Sequence, residues 1–429
     1  MPKVLHVSFL WDDPTVNQRH SDYILAMGWV KAGWDVLYFD YRMTAEEYGN
    51  DIMNSALMQI ILDKNPDIVF FTKVEGASRR IGKRTQSCCI DPTIIPKLKD
   101  KGYKGKFVHW FLDQRYDYFK STLNIGKHCD WFFYVAAGER LKGYSLAMST
   151  PASWIPAPYE PSFLKPRTFI DRKMDLIWMG GAHKPSRNHF EDTRYSMLQK
   201  FTSCGFLRNY YGCFSKSRVW CPQYQKLLGE SKMGLSLYAF DRPMYFSNRL
   251  SHIMGSGTAI FSYDFKDRKR IFSDTDGIFF KDVADAKKQY QYYMANLDEL
   301  EWVAQNGYNK VSKYFTSSCV VSEILHTLST GESSLPFGET HNPWGKKYDV
   351  PLVSDKSFGN IHHIDRYGKT FMIEQYGDAT KVVSNDSKAT IERRKHRAER
   401  IKELHSQKAN YRLTKRAGNR LVNRRPNIR

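Results

Sequence analysis

Apolar residues along the first third of the chain come in short runs, and between the runs they recur at helical spacing. VLHVSFL (4–10) is long enough for one buried strand, and after it Tyr23, Met27 and Val30 stand at i, i+4 and i+7 before Gly33. Such spacing lines one face of a helix, and a glycine just past the last periodic residue stops it. WDVLYFD (34–40) follows as a second strand. Met53, Leu57, Ile60 and Ile61 form the next helix face, and DIVFFTK (67–73), FVHWFLD (107–113) and DWFFYVA (130–136) are further strands. Strands alternating with helices predict a parallel, doubly wound sheet.

At PASWIPAPYEPSFLKP (151–166) proline becomes frequent and periodicity stops, as expected of a crossover between two domains. A second strand–helix series then begins: MDLIWMGG (174–181), LRNYYG, MGLSLYAF (233–240), TAIFSY (258–263) and GIFFKD (277–282). Helical sequence over 297–328 closes it and is expected to pack back toward the first domain. The segment 329–345 reads as loop, and 346–390 offers one short hairpin, GKTFMIEQYG with DATKVVS. The predicted organisation is an α/β protein with Rossmann-like domains over 1–158 and 171–328, a linker over 329–390 and a basic tail over 391–429.

Composition changes this picture in one respect. The chain of 429 residues carries a net charge of +20, and the segment 391–429, with fourteen Lys or Arg and three Glu, supplies +11 of it. A field of that sign favours a polyanionic partner. A charge run is often only a solvated face, but fourteen positive charges against three negative ones suit phosphates better than helix pairing. Ile401, Leu404, Leu413, Leu421 and Val422 are too sparse to build the apolar face of a membrane anchor. Within the tail, Arg393, Arg394, Lys395, Arg397, Arg400, Lys402, Lys415 and Arg416 are the candidate nucleic-acid contacts. No membrane span and no secretory leader are expected, which points to the cytoplasm, or the host cytoplasm for a viral protein. The seven cysteines lack CxxC spacing and read as reduced thiols.

The order DLIWMGGAHKPSRNHF, YYG, SLYAF, NRLSHIMGSGTAIFSY, GIFFKD resembles the donor-binding domain of GT-B glycosyltransferases, in particular the bacterial spore-maturation-like group and its phage relatives. HWFLDQR, CDWFFYV and WIPAPYEP are similar to the first domain of that group, and the resemblance spans about 1–328. It implies two tandem Rossmann-like domains with a nucleotide-sugar, a UDP-sugar first, in the cleft between them. The acceptor domain would come first and the nucleotide would rest mainly on the second. No tightly bound cofactor and no metal are expected. Asp274-Thr275-Asp276 spells a carboxylate pair, but it precedes a strand in what reads as a surface turn.

In an open α/β sheet, ligands lie beyond the carboxyl ends of the strands, where helix N-termini offer N–H groups to phosphate. Ser247 or Asn248 is placed to cap a helix there, and Arg249 to give a diphosphate a bidentate charge or to remain a solvated side chain. Gly180 and Gly181 admit a diphosphate close to the backbone or make a plain tight turn. Tyr238, in SLYAF, completes the candidate donor set. His252 and Met244 stand where many retaining members carry glutamates. His252 can hydrogen-bond a ribose or be a core histidine, and a retaining or inverting course stays open. For the base that takes the acceptor proton, Asp113 ends a first-domain strand at the cleft, the alternative being a helix N-cap for 115–126. Asp12 and Asp13, after the first strand, are second choices, and Lys73 and Glu75 third.

Three functions fit these features. One is a glycosyltransferase acting on nucleic acid, with a hydroxymethylated base in phage-type DNA as the acceptor. Another is the same chemistry on a protein or envelope glycan, and the last is a relative that binds nucleic acid without catalysis.

Overall fold

A computed structural model of the protein describes residues 1–8, 20–72, 74, 77–81, 84–113, 118–182, 189–219, 223–238, 240–353, 358–364 and 370–374. The chain begins with β1 (Lys3–Ser8), α1 (His20–Lys31), β2 (Asp35–Asp40), α2 (Tyr41–Tyr48), α3 (Asn50–Lys64) and β3 (Ile68–Thr72). A hairpin of β4 (Ala77–Ile81) and β5 (Arg84–Cys88) precedes α4 (Ile94–Asp100) and β6 (Lys106–Phe111). The first series ends with α5 (Lys120–Gly126), β7 (Trp131–Tyr134), α6 (Glu139–Met148) and β8 (Ala152–Trp154). Local chemistry sets several of these bounds. The Asp40 side chain accepts the Met43 N–H at 2.8 Å and caps α2, while Gly33, at φ 83°, turns the chain after α1.

The second series runs β9 (Met174–Met179), α7 (His189–Ser203), β10 (Asn209–Tyr211), α8 (Gln223–Gly229), β11 (Ser231–Ser236), α9 (Asn248–Gly255) and β12 (Ala259–Tyr263). After β13 (Ile278–Phe280) come α10 (Val283–Ala295) and α11 (Leu297–Tyr314). The chain closes with α12 (Ser317–Thr330), β14 (Thr340–His341), β15 (Ile361–Ile364) and β16 (Thr370–Glu374).

Two large sheets result. The first has the order β14-β8-β7-β6-β3-β1-β2-β15-β16, parallel from β8 through β15, and the second has the parallel order β10-β9-β11-β12-β13. These are the two α/β units of the predicted class. The parallel pairing gathers the carboxyl ends of each sheet's strands on one edge.

Helix α1 departs from the one-faced amphipathic pattern. Tyr23 through Val30 are all buried except for the interior glycine's lack of side chain, because the sheet covers one side and α12 the other. A Cβ on Gly28 would lie 2.3 Å from the Ser317 carbonyl oxygen, so glycine is what lets the two helices approach. Of the closing helices, α11 packs on α9 and β12 within the second unit, and α12 packs on α1 of the first.

The two passages between the units lie side by side. Tyr159 N–H donates to Phe315 O at 2.9 Å and Ser317 N–H to Tyr159 O at 2.8 Å. Glu160, fully buried, pairs with Lys31 of α1 and accepts from the Ser317 hydroxyl and from Ser162 N–H at 2.9 Å. Those partners offset the cost of burying its carboxylate and tie the crossover to both ends of the molecule.

Parts of the stretch expected to be a linker join the first sheet. Thr340–His341 adds an edge strand on β8, and Ile361–Ile364 pairs with β2 on the opposite side. Thr370–Glu374 pairs antiparallel with Ile361–Ile364, so the hairpin partner of this strand lies upstream of it; residues 378–384 are outside the described residues. Backbone fit makes the docking possible: Val36 N–H donates to Asn360 O at 2.8 Å, and a Cβ on Gly359 would meet Trp34 O at 1.9 Å. Among the described residues no helix is long and apolar enough to cross a membrane.

Candidate active site

The candidate donor residues sit on the loops at the carboxyl ends of β9 and β11 and on the first turn of α9. Ser247 is the N-cap of α9, in extended conformation, and its hydroxyl accepts the Arg249 N–H at 3.2 Å. Asn248 is exposed, whereas Leu250 to Gly255 are buried. Arg249 lies between these two faces, and its side chain turns back over the strand ends. Nε donates to Met179 O at 2.8 Å, Nη1 to Leu237 O at 3.5 Å, and the guanidinium covers the Trp178 ring at 4.2 Å. Among the described residues no carboxylate pairs with it.

Arg194, on α7, donates to Gly181 O at 3.4 Å, so two guanidiniums hold the one turn that follows β9. Burial, and then the neighbouring charge of Arg194, push Arg249 down to about 10. It remains protonated at neutral pH, and two close cations favour an anion between or beside them. Gly180 shapes this turn by what it lacks, since a Cβ there would stand 2.2 Å from Arg249 Nη2. Gly180→Ala is therefore expected to displace the guanidinium without unfolding the protein. A shift of about 1 Å at a charge that binds the reacting group costs on the order of 10²-fold in turnover. Steady-state kinetics beside a thermal melt checks this, and wild-type kinetics would remove the close approach from the argument.

His252 is 4 % exposed in the interior of α9, its ring edge-on to Tyr224 with centroids 6.0 Å apart. Tyr238 is also buried. Its hydroxyl donates to Asp264 O, and its ring packs on Tyr263 and Phe265, so the polar end is already engaged. Asp274 pairs with Arg268 at 2.5 Å and Lys269 at 3.2 Å, and Asp276 accepts the Ser273 N–H at 2.7 Å, which makes this triplet a turn lock.

On the first unit, β6 ends at Phe111 and leaves Asp113 exposed in the loop beyond it. The next helix starts only at Lys120 with Phe119 as its N-cap, so Asp113 does not cap it. Tyr245 links the two halves. It is buried, and its phenol is pushed up first by burial and next by the charge of Asp113, while Arg194 and Arg249 pull it the other way. One side chain thus feels the carboxylate of the first unit and both guanidiniums of the second. The loop bearing it reaches across, for Ala137 N–H donates to Pro243 O at 2.9 Å. Met244 in that loop is fully buried with φ 55°, a left-handed conformation that side chains seldom adopt.

Sequence reading had no signal for Tyr245, Arg194 or Trp178, which the fold brings beside the candidate residues. Asp12, Asp13, Lys73, Glu75 and the basic residues of 391–429 lie outside the described residues.

Residues 197–326 match the family model for glycosyl transferase-like proteins. In fold the chain is similar to an α-glucosyltransferase in complex with UDP and a 13-mer DNA containing a HMU base, at TM-score 0.54 and 9% identity over 76% of this chain and 98% of that one. It is likewise similar to Anabaena Alr3699/HepE in complex with UDP and glucose, at TM-score 0.50 and 10% identity over 76% and 99% of the two chains. Sucrose-phosphate synthase from Thermosynechococcus elongatus gives TM-score 0.50 and 9% identity over 75% and 97%. The chain matches no curated protein sequence. The chain thus shares the two-unit α/β fold of these structures, and its second unit carries the match to the glycosyl transferase-like family model.

Proposed function

We propose that the protein transfers a sugar from a nucleotide-sugar, a UDP-sugar in the first instance, to the hydroxyl of a hydroxymethylated base in DNA. The observation that carries the donor half is the turn after β9, where Arg249 and Arg194 present positive charge at the carboxyl ends of β9 and β11, facing Tyr245 together with Asp113. A diphosphate is the leaving group that such a pair neutralises as the glycosidic bond breaks. The cap Ser247, the first turn of α9 with Asn248, and the Gly180-Gly181 turn give it backbone contact, and His252 and Tyr238 are buried in the same unit. Asp113 is the group that takes the proton of the acceptor hydroxyl. The acceptor half rests on the net charge of +20 and its concentration in 391–429. It is also supported by the similar α-glucosyltransferase, which is in complex with DNA containing a HMU base.

Mass spectrometry of hydroxymethylated and ordinary duplex, after incubation with a panel of nucleotide-sugars, tests both halves. A hexose-sized gain on the hydroxymethylated duplex alone is the expected result. Donor hydrolysis without DNA transfer would redirect the acceptor to a protein or envelope glycan, and no turnover of any donor would overturn the enzymatic reading. Deleting 391–429 is expected to weaken duplex binding and flatten its salt dependence by several units of slope, at about 0.9 per phosphate neutralised. Donor hydrolysis should survive, since the proposed donor residues all precede that segment.

A further inference from the structure

The β4–β5 hairpin belongs to neither large sheet. It pairs Ala77 with Cys88, Arg79 with Gln86, Arg80 with Thr85 and Ile81 with Arg84. It follows β3, whose last residue Thr72 pairs with Trp110 of β6, and Trp110 is three residues from Asp113. The ribbon therefore departs from the same carboxyl edge as the Asp113 loop, one strand away. Its returning end is fastened to α3, where the Asn50 side chain accepts the Cys89 N–H at 3.1 Å and the Asn54 side chain the Asp91 N–H at 2.9 Å.

Two features of this ribbon call for a partner. β5 packs on α2, but a two-stranded hairpin outside a sheet is marginal in water by itself, and the sequence ASRRIGKRTQSC contains only one large apolar residue, Ile81. Apart from Ala77 and Gly82, its other residues are basic, polar or cysteine, with no carboxylate among the twelve. A single isoleucine cannot anchor the ribbon in lipid. Phosphates match its charge, and its strands of five residues, about 17 Å long, have the form of a two-stranded ribbon that fits a duplex groove roughly 12 Å wide.

We propose that the β4–β5 ribbon, which carries Arg79, Arg80 and Arg84 in its strands, is a nucleic-acid contact on the acceptor side of the cleft. This rests on reading the acceptor as nucleic acid. The ribbon fixes where the duplex lies relative to the catalytic loop, whereas the tail adds affinity at a distance from it in sequence.

The test uses the full chain carrying R79Q/R80Q/R84Q, titrated into labelled hydroxymethylated duplex at several salt concentrations, with heparin as a competing polyanion. The expected result is a dissociation constant raised at least tenfold and a salt slope reduced by roughly two to three units, at about 0.9 per phosphate. Transfer to subsaturating duplex falls in parallel, and donor hydrolysis by water matches the wild type. R79K/R80K/R84K, which keeps the charge, recovers most of the affinity and reports that folding is not the cause. A wild type that binds and glycosylates duplex while the glutamine variant does so with the same affinity and slope overturns the ribbon's role alone. A wild type that ignores duplex but holds heparin through these arginines overturns the nucleic-acid acceptor, and the ribbon proposal with it.

Discussion

Arg249→Ala is expected to lower sugar transfer by about 10²–10³-fold, the loss typical of removing one preorganised group that meets charge developing in a transition state. The guanidinium is held in advance by Met179 O, Leu237 O and the Trp178 ring, so it needs no rearrangement when the diphosphate departs. Its lowered pKa has the same meaning, because a cation desolvated beside Arg194 gains most when an anion arrives. Arg249→Lys should recover only part of the rate, since an ammonium cannot reproduce the planar fork. Duplex affinity should be unchanged in both variants. Measuring kcat and KM for the donor beside the DNA dissociation constant decides the matter, and equal losses in turnover and DNA affinity would count against the donor assignment.

Asp113→Asn is expected to lower transfer by about 10²–10⁴-fold with donor KM nearly unchanged, because the amide keeps the shape but cannot accept a proton. Asp113 is exposed at the end of β6 and close enough to bias the Tyr245 phenol, so the first unit's carboxylate stands at the mouth shared with the second. Single-turnover kinetics with donor preloaded separates loss of chemistry from loss of binding. A fully active variant would remove Asp113 from the mechanism and turn attention to Asp12 and Asp13.

The candidate site was legible where one of its residues is also a local signal. Ser247 was one of two readable caps, since a short hydroxyl before an apolar periodic segment satisfies the free N–H groups of a helix start. Gly180 stood out as a glycine at a strand end, although what its missing Cβ makes room for, the Arg249 fork 2.2 Å away, is a contact across 69 positions of sequence. Tyr245 looked like one more aromatic in YAFDRPMYF, and the segment between DIVFFTK and FVHWFLD gave no sign of a ribbon, because its basic, polar residues lack strand periodicity.

By itself the sequence determined the α/β class and most strands of both sheets. Those follow from periodicity, which each segment carries locally. Only the tertiary structure decided the strand order, the return of 340–341 and 361–374 to opposite edges of the first sheet, and the burial of α1 on both sides. It also decided that the Tyr245 phenol lies within reach of the charges of Asp113, Arg194 and Arg249. Edge strands gain their hydrogen bonds from whichever backbone is left open beside them, and a cleft gathers its charges from loops far apart in the chain. Neither is written in the spacing of any one segment, because the partners that stabilise them lie far away in sequence and are brought alongside only by the fold.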